Sequence, residues 1–340
     1  MKMKQKVLIT GASGFIGSFL VEEALRRGYE VWAAVRSTSD LSRLPDGNVR
    51  LLVDLPFHDA EALAERLREV AGKEGRAWDY VIHNAGLTKA VRKQDFFRVN
   101  AEYTRNLTEA LATACPPRKF LLMSSLSSCG AGDEKTFRPI RLDDPQRPDT
   151  VYGQSKLTAE NYVRAQSSFP YIILRPTGVY GPGDKDYLIE IKSIRARFDF
   201  AIGFTPQRIT FIYVKDLASV AFLALEKEEA RNREYFVADG DVYTDASFAC
   251  MIQEIIGKKH VFHARIPLVL ARFACLCSEG IGRLTGKSMT LNSDKYIILK
   301  QRNWICDVAP LWEELTFTPS YTLRQGLEET VKRDREEGLL

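Results

Sequence analysis

Tyr152 and Lys156 stand four residues apart, a spacing that on a helix puts both side chains on one face. A tyrosine hydroxyl titrates near 10 and is a poor base at neutrality, but a neighbouring ammonium favours its phenolate. The pair could therefore pass a proton to or from a substrate oxygen. Spacing alone is weak evidence, because the chain has 13 tyrosines and Tyr296 with Lys300 repeats the pattern. Context favours the first pair. Tyr152 follows the apolar run Phe120 to Met123, which ends in Ser124-Ser125, and it opens the segment Tyr152-Gly153-Gln154-Ser155-Lys156, whereas Tyr296 falls late in the chain. Ser125, at the end of that run, reads by itself as a strand-end serine capping a turn.

A second chemistry-bearing segment lies near the amino terminus. Thr10-Gly11-Ala12-Ser13-Gly14-Phe15-Ile16-Gly17 places three glycines three apart between an apolar run and an amphipathic one. Glycine there allows a tight turn, close approach of a pyrophosphate to backbone, and close packing of helix on strand, while the helix N-terminus offers N–H groups to phosphate. Gly11, Ser13, Gly14, Phe15, Ile16 and Gly17 are thus expected to hold a dinucleotide. At the end of the second apolar run, NAD-binding chains commonly carry an acidic residue for the ribose hydroxyls. This one has Val35-Arg36-Ser37. Without that carboxylate nothing repels a 2′-phosphate, and the Arg36 fork could pair with one, so NADP is preferred and NAD stays open. Asp54-Leu55 and Asn84-Ala85-Gly86, each after an apolar run, are expected to line the adenine and ribose crevice.

The elements that must position these groups follow from periodicity. Strand-length apolar runs at Val7 to Thr10, Val31 to Val35, Val49 to Val53, Tyr80 to His83, Phe120 to Met123 and Tyr171 to Leu174 alternate with helical patterns at Phe15 to Arg27, Ala60 to Ala71 and Asn100 to Ala114. That rhythm predicts βαβ units: an α/β, doubly wound parallel (Rossmann) sheet. Beyond Gly181 it becomes less regular, with a helix at Val214 to Glu226, a strand at Tyr235 to Ala238 and a helix at Asp245 to Ile256. The expected organisation is a dinucleotide-binding domain over residues 1–180, to which a segment near 207–240 could return, and a smaller α/β substrate lobe over 181–340.

Composition excludes other classes. Net charge is only +4 and no block of Lys and Arg interleaves with aromatics, which argues against nucleic acid as partner. The six cysteines have no C-x-x-C spacing, so no metal site is expected. Met1 to Thr10 runs straight into a strand pattern and is too short for a signal segment, and Ile266 to Cys277 is interrupted by Arg272 and falls short of the roughly 20 residues that span a bilayer; it reads as a helix of the small lobe, with peripheral membrane contact as the alternative. The expectation is a cytoplasmic protein with no integral membrane segment and a small-molecule substrate. His83, ending an apolar run, reads as a satisfied core histidine.

Taken together, the Gly11-Gly14-Gly17 turn, Asp54, His83-Asn84-Ala85-Gly86, Val99-Asn100, Ser124-Ser125, Tyr152 with Lys156, Arg175-Pro176 leading to Val179-Tyr180-Gly181-Pro182, and Val214-Lys215-Asp216 resemble the extended short-chain dehydrogenase/reductase family, the NAD-dependent epimerase/dehydratases. The resemblance covers nearly the whole chain. It implies that Ser125, Tyr152 and Lys156 are catalytic, with Lys156 also holding the nicotinamide ribose. It further implies that Asn100 supports the site, that Ser124 faces the cofactor, and that Pro176, Gly178 and Val179 lie over the nicotinamide. Relatives that bind sugar nucleotides tend to carry Asn where this chain has Gly178, and Arg where it has Ile209 with Arg208 beside it. Leu126-Ser127 also replaces the acidic pair of the dehydratases. These departures favour hydride transfer to or from a carbonyl or secondary alcohol of an apolar substrate, its pocket drawing on Ser125 to Gly130, Thr88 and Tyr187. A sugar-nucleotide epimerase or dehydratase with retained NAD, and an NADP-binding redox regulator, stay open as alternatives. So does a homodimer through the helices that begin near Asn100 and Tyr152.

Overall fold

The computed structural model describes residues 4–45, 47–73, 77–286, 289 and 291–340; Met1 to Met3, part of the start read above as strand rather than signal, lie outside the described residues. Seven parallel strands form the main sheet: β1 (Lys6–Thr10), β2 (Glu30–Val35), β3 (Val49–Val53), β4 (Tyr80–His83), β5 (Lys119–Met123), β6 (Tyr171–Pro176) and a seventh that arrives late in the chain. After β6 the chain makes β7 (Gly178–Tyr180), β8 (Phe198–Ile202), β9 (Arg208–Ile209) and β10 (Phe211–Tyr213), and only then β11 (Arg233–Val237), which pairs with β6 and completes the order β11-β6-β5-β4-β1-β2-β3. The order reverses between β1 and β4, and in open α/β sheets that switch point is where a crevice opens at the carboxyl ends of the strands.

Helices α1 (Phe15–Arg26), α2 (Ala60–Lys73), α3 (Lys93–Phe96), α4 (Tyr103–Ala114), α5 (Val151–Ala165), α6 (Lys185–Arg195) and α7 (Val214–Glu226) include the crossovers. The central strands are buried on both faces, which is why they read as continuous apolar runs. Val7 and Ile9 pack with α1 and α7 in one cluster, whereas Leu8 packs with α2, α4 and α5 in a second. The period-two alternation of the strand thus divides the core between two layers.

The remaining elements, β12 (Tyr243–Thr244), α8 (Asp245–Ile256), β13 (Phe262–Ile266), α9 (Leu268–Thr285), α10 (Ser293–Lys300), β14 (Asn303–Trp304), α11 (Ala309–Leu315) and α12 (Leu323–Glu336), belong to the C-terminal third. There small sheets replace the large one: β10 with β7, β12-β9-β14, and β13 with β8. Capping boxes at Thr244 with Ser247 and at Thr322 with Gln325 start α8 and α12, each satisfying two otherwise unpaired donors. The helix expected to begin at Asn100 begins earlier. A π-helical turn, Phe97–Glu102, connects α3 to α4, and such turns concentrate at functional positions.

Candidate active site

The glycine turn follows β1 directly. Gly11 has φ +67°, and a Cβ there would stand 2.8 Å from the Ala85 backbone; one on Gly17 would stand 2.0 Å from the Gly11 carbonyl oxygen. Neither position admits another residue without moving backbone. Gly14 caps α1 without any side-chain acceptor, which leaves first-turn N–H groups of the helix to an outside anion. Ser13 is half-buried, as are Phe15 and Ile16, which pack against the core.

Strand β4 ends beside this turn. Asn84 donates to the Gly11 carbonyl (3.3 Å) and Ala85 N–H donates to Thr10 Oγ1 (3.1 Å). Thr10 Oγ1 also meets His83 Nδ1 at 2.8 Å, His83 Nε2 meets Thr104 Oγ1 at 3.0 Å, and the Thr104 hydroxyl donates to the Asn100 carbonyl at 2.7 Å. Since the Thr104 proton is committed, Nε2 must carry the histidine proton and Nδ1 must accept from Thr10. Burial pushes His83 down to about 3, so it is a neutral, fully satisfied member of the scaffold.

The π-helical turn aims Asn100 inward. Its amide donates to the Leu87 carbonyl (3.0 Å) and to Ser155 Oγ (2.9 Å), and its oxygen accepts from Leu87 N–H (2.7 Å). Asn100 therefore ties the loop after β4 to α5, the helix that carries Tyr152 and Lys156. Thr150 caps that helix by accepting from Gly153 N–H, and Asp294 of α10 accepts from Tyr152 N–H at 3.1 Å. Asp294 gave no local signal, since it is 142 residues away in sequence. Tyr296 and Lys300, the second tyrosine and lysine pair, lie on α10.

Lys156 is buried and its Nζ donates to the carbonyl of Met123, the last residue of β5, at 2.7 Å. Nζ would lie 3.5 Å from a Cβ on Gly86. Burial lowers the lysine to about 8, with the Glu160 carboxylate pulling the other way. Tyr152 is half-buried, and burial raises its pKa, opposed by a side-chain hydrogen bond from Ser125. Burial is thus the larger influence on the Tyr152 hydroxyl in this arrangement. Ser125 Oγ also accepts from Ser127 N–H at 3.2 Å, so both the turn-capping and the substrate-facing readings of this serine have a physical basis.

Ser124 does not present its side chain to a cofactor. Its hydroxyl donates to Glu160 at 2.5 Å, inside a buried cluster in which Arg175 reaches both Glu160 oxygens at 3.0 and 2.8 Å, Gln146 donates to Glu160 at 2.8 Å, and Arg164 bridges Glu160 and Glu234. Two carboxylates and two guanidinium groups satisfy one another below the end of β5, where a single unpaired charge would be costly. The sequence reading took Arg175 only as part of a motif and missed Glu160.

The other end of the crevice is different in kind. Arg36 is exposed, with its N–H on Ser39 Oγ at 3.1 Å. Asp54, at φ 50°, turns one carboxylate oxygen to Ser37 N–H at 2.9 Å and so holds the loop after β2. Leu55 is buried. On the opposite wall Pro176 ends β6, and Gly178 and Val179 form β7 against Phe211 and Ile212. A Cβ on Gly178 would fall 2.4 Å from the Tyr187 hydroxyl. Arg208 lies over the Phe137 ring at 4.4 Å.

The NAD-dependent epimerase/dehydratase family model matches residues 7–238, more than half of the chain. The chain is similar to a UDP-glucose 4-epimerase of Vibrio cholerae, 26% identical over 97% of this chain and 96% of that protein. It is similar also to a 3-beta-hydroxysteroid dehydrogenase of Mycolicibacterium neoaurum, 27% identical over 75% of this chain and 71% of that one. Among solved structures, MoeE5 in complex with UDP-glucuronic acid and NAD is 25% identical at a TM-score of 0.73, covering 98% of this chain and 99% of that one. The UDP-glucose 4-epimerase of Thermotoga maritima with UDP-glucose, 21% identical at a TM-score of 0.76 over 98% and 99% of the two chains, shares the fold.

Proposed function

The chain belongs to the NAD-dependent epimerase/dehydratase family and is a nicotinamide-dependent enzyme of the short-chain dehydrogenase/reductase type; from that premise we propose that it moves hydride between NADP(H) and a carbonyl or secondary alcohol of a small apolar substrate. The observation that carries this reading is one of continuity. Gly11 abuts Ala85, Gly86 lies against Lys156 and Asn100, and Tyr152 with Ser125 closes the row. A phosphate-binding turn and a proton-transfer group thus share one crevice.

The residues fit a dinucleotide, since the Gly11 and Gly17 cradle would be filled by any Cβ. Gly11 to Gly17 would hold the pyrophosphate, Arg36 the 2′-phosphate, Leu55 and Asn84 to Gly86 the adenosine side, Lys156 the nicotinamide ribose, and Pro176 to Val179 the nicotinamide. When bound, the group supplies or accepts the hydride at the substrate carbon. In the reductive direction Tyr152 gives its proton to the carbonyl oxygen, and Ser125 donates a hydrogen bond to the same oxygen as charge develops there. Asn100 acts through Leu87 and Ser155 as a positioning residue.

The substrate preference draws on the opposite wall. Tyr187 occupies the space that an asparagine side chain at position 178 would need, and Arg208 is engaged with Phe137, which removes two polar partners for a diphosphate. A second reading, epimerisation with retained NAD, is favoured by the nearly full-length likeness to the Vibrio cholerae epimerase. Titration of the purified chain with NADPH and NADH, together with assay of nucleotide released on denaturation, separates the two. The reductase reading expects an empty chain that binds NADPH reversibly and more tightly than NADH. Copurified NAD that does not exchange would overturn it for the epimerase, and binding of neither nucleotide would sink both.

A further inference from the structure

Helix α9 is packed the wrong way round for a helix of a free-standing globule. Its inward positions are small, Ala271, Cys275 and Gly282, whereas Val269, Leu270, Phe273, Leu276, Ile281 and Leu284 are 52% to 90% exposed. Helical periodicity at 100° per residue places those six on one arc about 140° wide, into which no charged residue falls. A second exposed apolar cluster lies on the sheet that leads into the helix. Strand β13 runs into α9 through Pro267, and on the β13 and β8 pair Phe262 stands opposite Phe198 in register, with Phe200 stacked on Phe198 at 6.0 Å. All three rings are exposed. Clustered exposed apolar side chains of this kind mark an interaction site rather than ordinary surface scatter.

Charge identifies the occupant. From Lys258 to Thr290 the chain has six Lys and Arg and one acidic residue, Glu279, while the whole chain has 48 and 44. The remainder therefore holds 42 against 43, and this segment accounts for the entire positive balance. Glu279 is turned away, accepting from Ser293 N–H at 3.1 Å. Arg272 is exposed on α9, and Lys192, Arg195 and Arg197 are exposed beside the aromatic strand. We propose that the α9 and β8–β13 face docks on an anionic lipid bilayer, with α9 lying in the interface plane: apolar stripe in the acyl boundary, cations at the headgroups. Among the described residues no helix is long and apolar enough to cross a membrane, so the contact is peripheral. A second copy is disfavoured as occupant, because a two-fold contact sets each patch on itself and brings like charges together.

The docking stands apart from the reaction proposed above. One consequence rests on that reading: α10, which follows α9, touches Tyr152 N–H through Asp294, so docking sets the Tyr152 end of the crevice near lipid, where an apolar substrate would reside.

The test is flotation of the full chain with vesicles of phosphatidylcholine alone or with phosphatidylserine. Binding is expected with the phosphatidylserine vesicles, weaker binding with phosphatidylcholine alone, and a decline as salt rises. Phe273→Glu combined with Leu284→Glu should lower the bound fraction about tenfold or more, and Arg272→Glu should reduce the preference for anionic vesicles. NADPH binding and melting temperature should be unchanged in both variants, since these side chains face solvent. Absence of flotation with either vesicle, or equal flotation of the double variant, overturns the proposal. A dimer that the double variant dissolves, with no flotation, replaces lipid by a second copy.

Discussion

The two ends of the crevice are built on opposite principles. Around Tyr152 the supporting polar groups are buried and committed: Asn100 spans Leu87 and Ser155, Lys156 holds the Met123 carbonyl, and Glu160 with Arg175 fixes the end of β5 from below. Around Arg36 the side chains face water, and the loop keeps its shape through backbone donors to Ser39 and Asp54. Buried networks are stiff and intolerant of partial removal, while exposed polar groups exchange freely with solvent. The first end can therefore hold reacting atoms in place, and the second can change which nucleotide is preferred without disturbing the fold.

The largest effect expected of this contrast is at Tyr152. Tyr152→Phe removes one oxygen and keeps the ring packed edge-on to Phe96, so the fold and NADPH affinity should survive. Turnover should fall by about 10² to 10⁴, the range that a positioned acid contributes. Steady-state rates alongside a nucleotide titration check this; a variant that keeps most of its activity removes Tyr152 from the chemistry.

A smaller effect, graded by pH, concerns Lys156. Burial holds its folded pKa at about 8, below the roughly 10.4 of an unfolded lysine. The ammonium that is to orient the ribose is thus lost as pH rises through about 8, and kcat/KM should decline there. Stability moves the other way. Between about 8 and 10.4 the unfolded chain binds the proton that the folded chain has released, so this group's contribution to stability increases with pH over that window. Lys156→Arg, which stays charged, should lower kcat/KM at neutral pH and abolish the alkaline limb. A limb that persists in the variant belongs to another group.

The same contrast explains what the sequence disclosed. Buried parallel strands leave continuous apolar runs, and a glycine turn that cannot admit Cβ leaves a fixed spacing, so β1 to β6, α1 and the Tyr152 helix were legible within a residue or two. β11 returns to the sheet only after four short strands in other sheets, and nothing local to Arg233–Val237 says which strand it joins. The Ser124 side chain was misread because its partner, Glu160, is 36 residues away, and neither carries a local mark of the buried cluster. Asp54, expected from its place after β3 to line the cofactor crevice, sits at φ 50° with its carboxylate on the Ser37 N–H, a contact 17 residues away in sequence that nothing local signals. Ile266 to Cys277 raised peripheral membrane contact only as an alternative, because periodicity marks a helix as amphipathic without saying which face the protein covers.

The smallest expected effect lies at the exposed end, and it is the sharpest test of the separation. Arg36→Asp exchanges a group that can pair with a 2′-phosphate for one that repels it and can accept from ribose hydroxyls. A charge-assisted contact of this kind is worth about 1.5–3 kcal/mol, so the ratio of NADPH to NADH affinity should fall by roughly 10- to 100-fold. The loop should not notice, because its anchors are the backbone N–H groups of residues 36 and 37 and the Ser39 N–H donating to the Arg36 carbonyl at 2.9 Å. Melting temperature and kcat with saturating nucleotide should stay where they were. An unchanged affinity ratio would show that Arg36 does not reach the 2′-phosphate. A lowered melting temperature would show that the adenine end is coupled to the core, and that the two ends of the crevice are one structural unit after all.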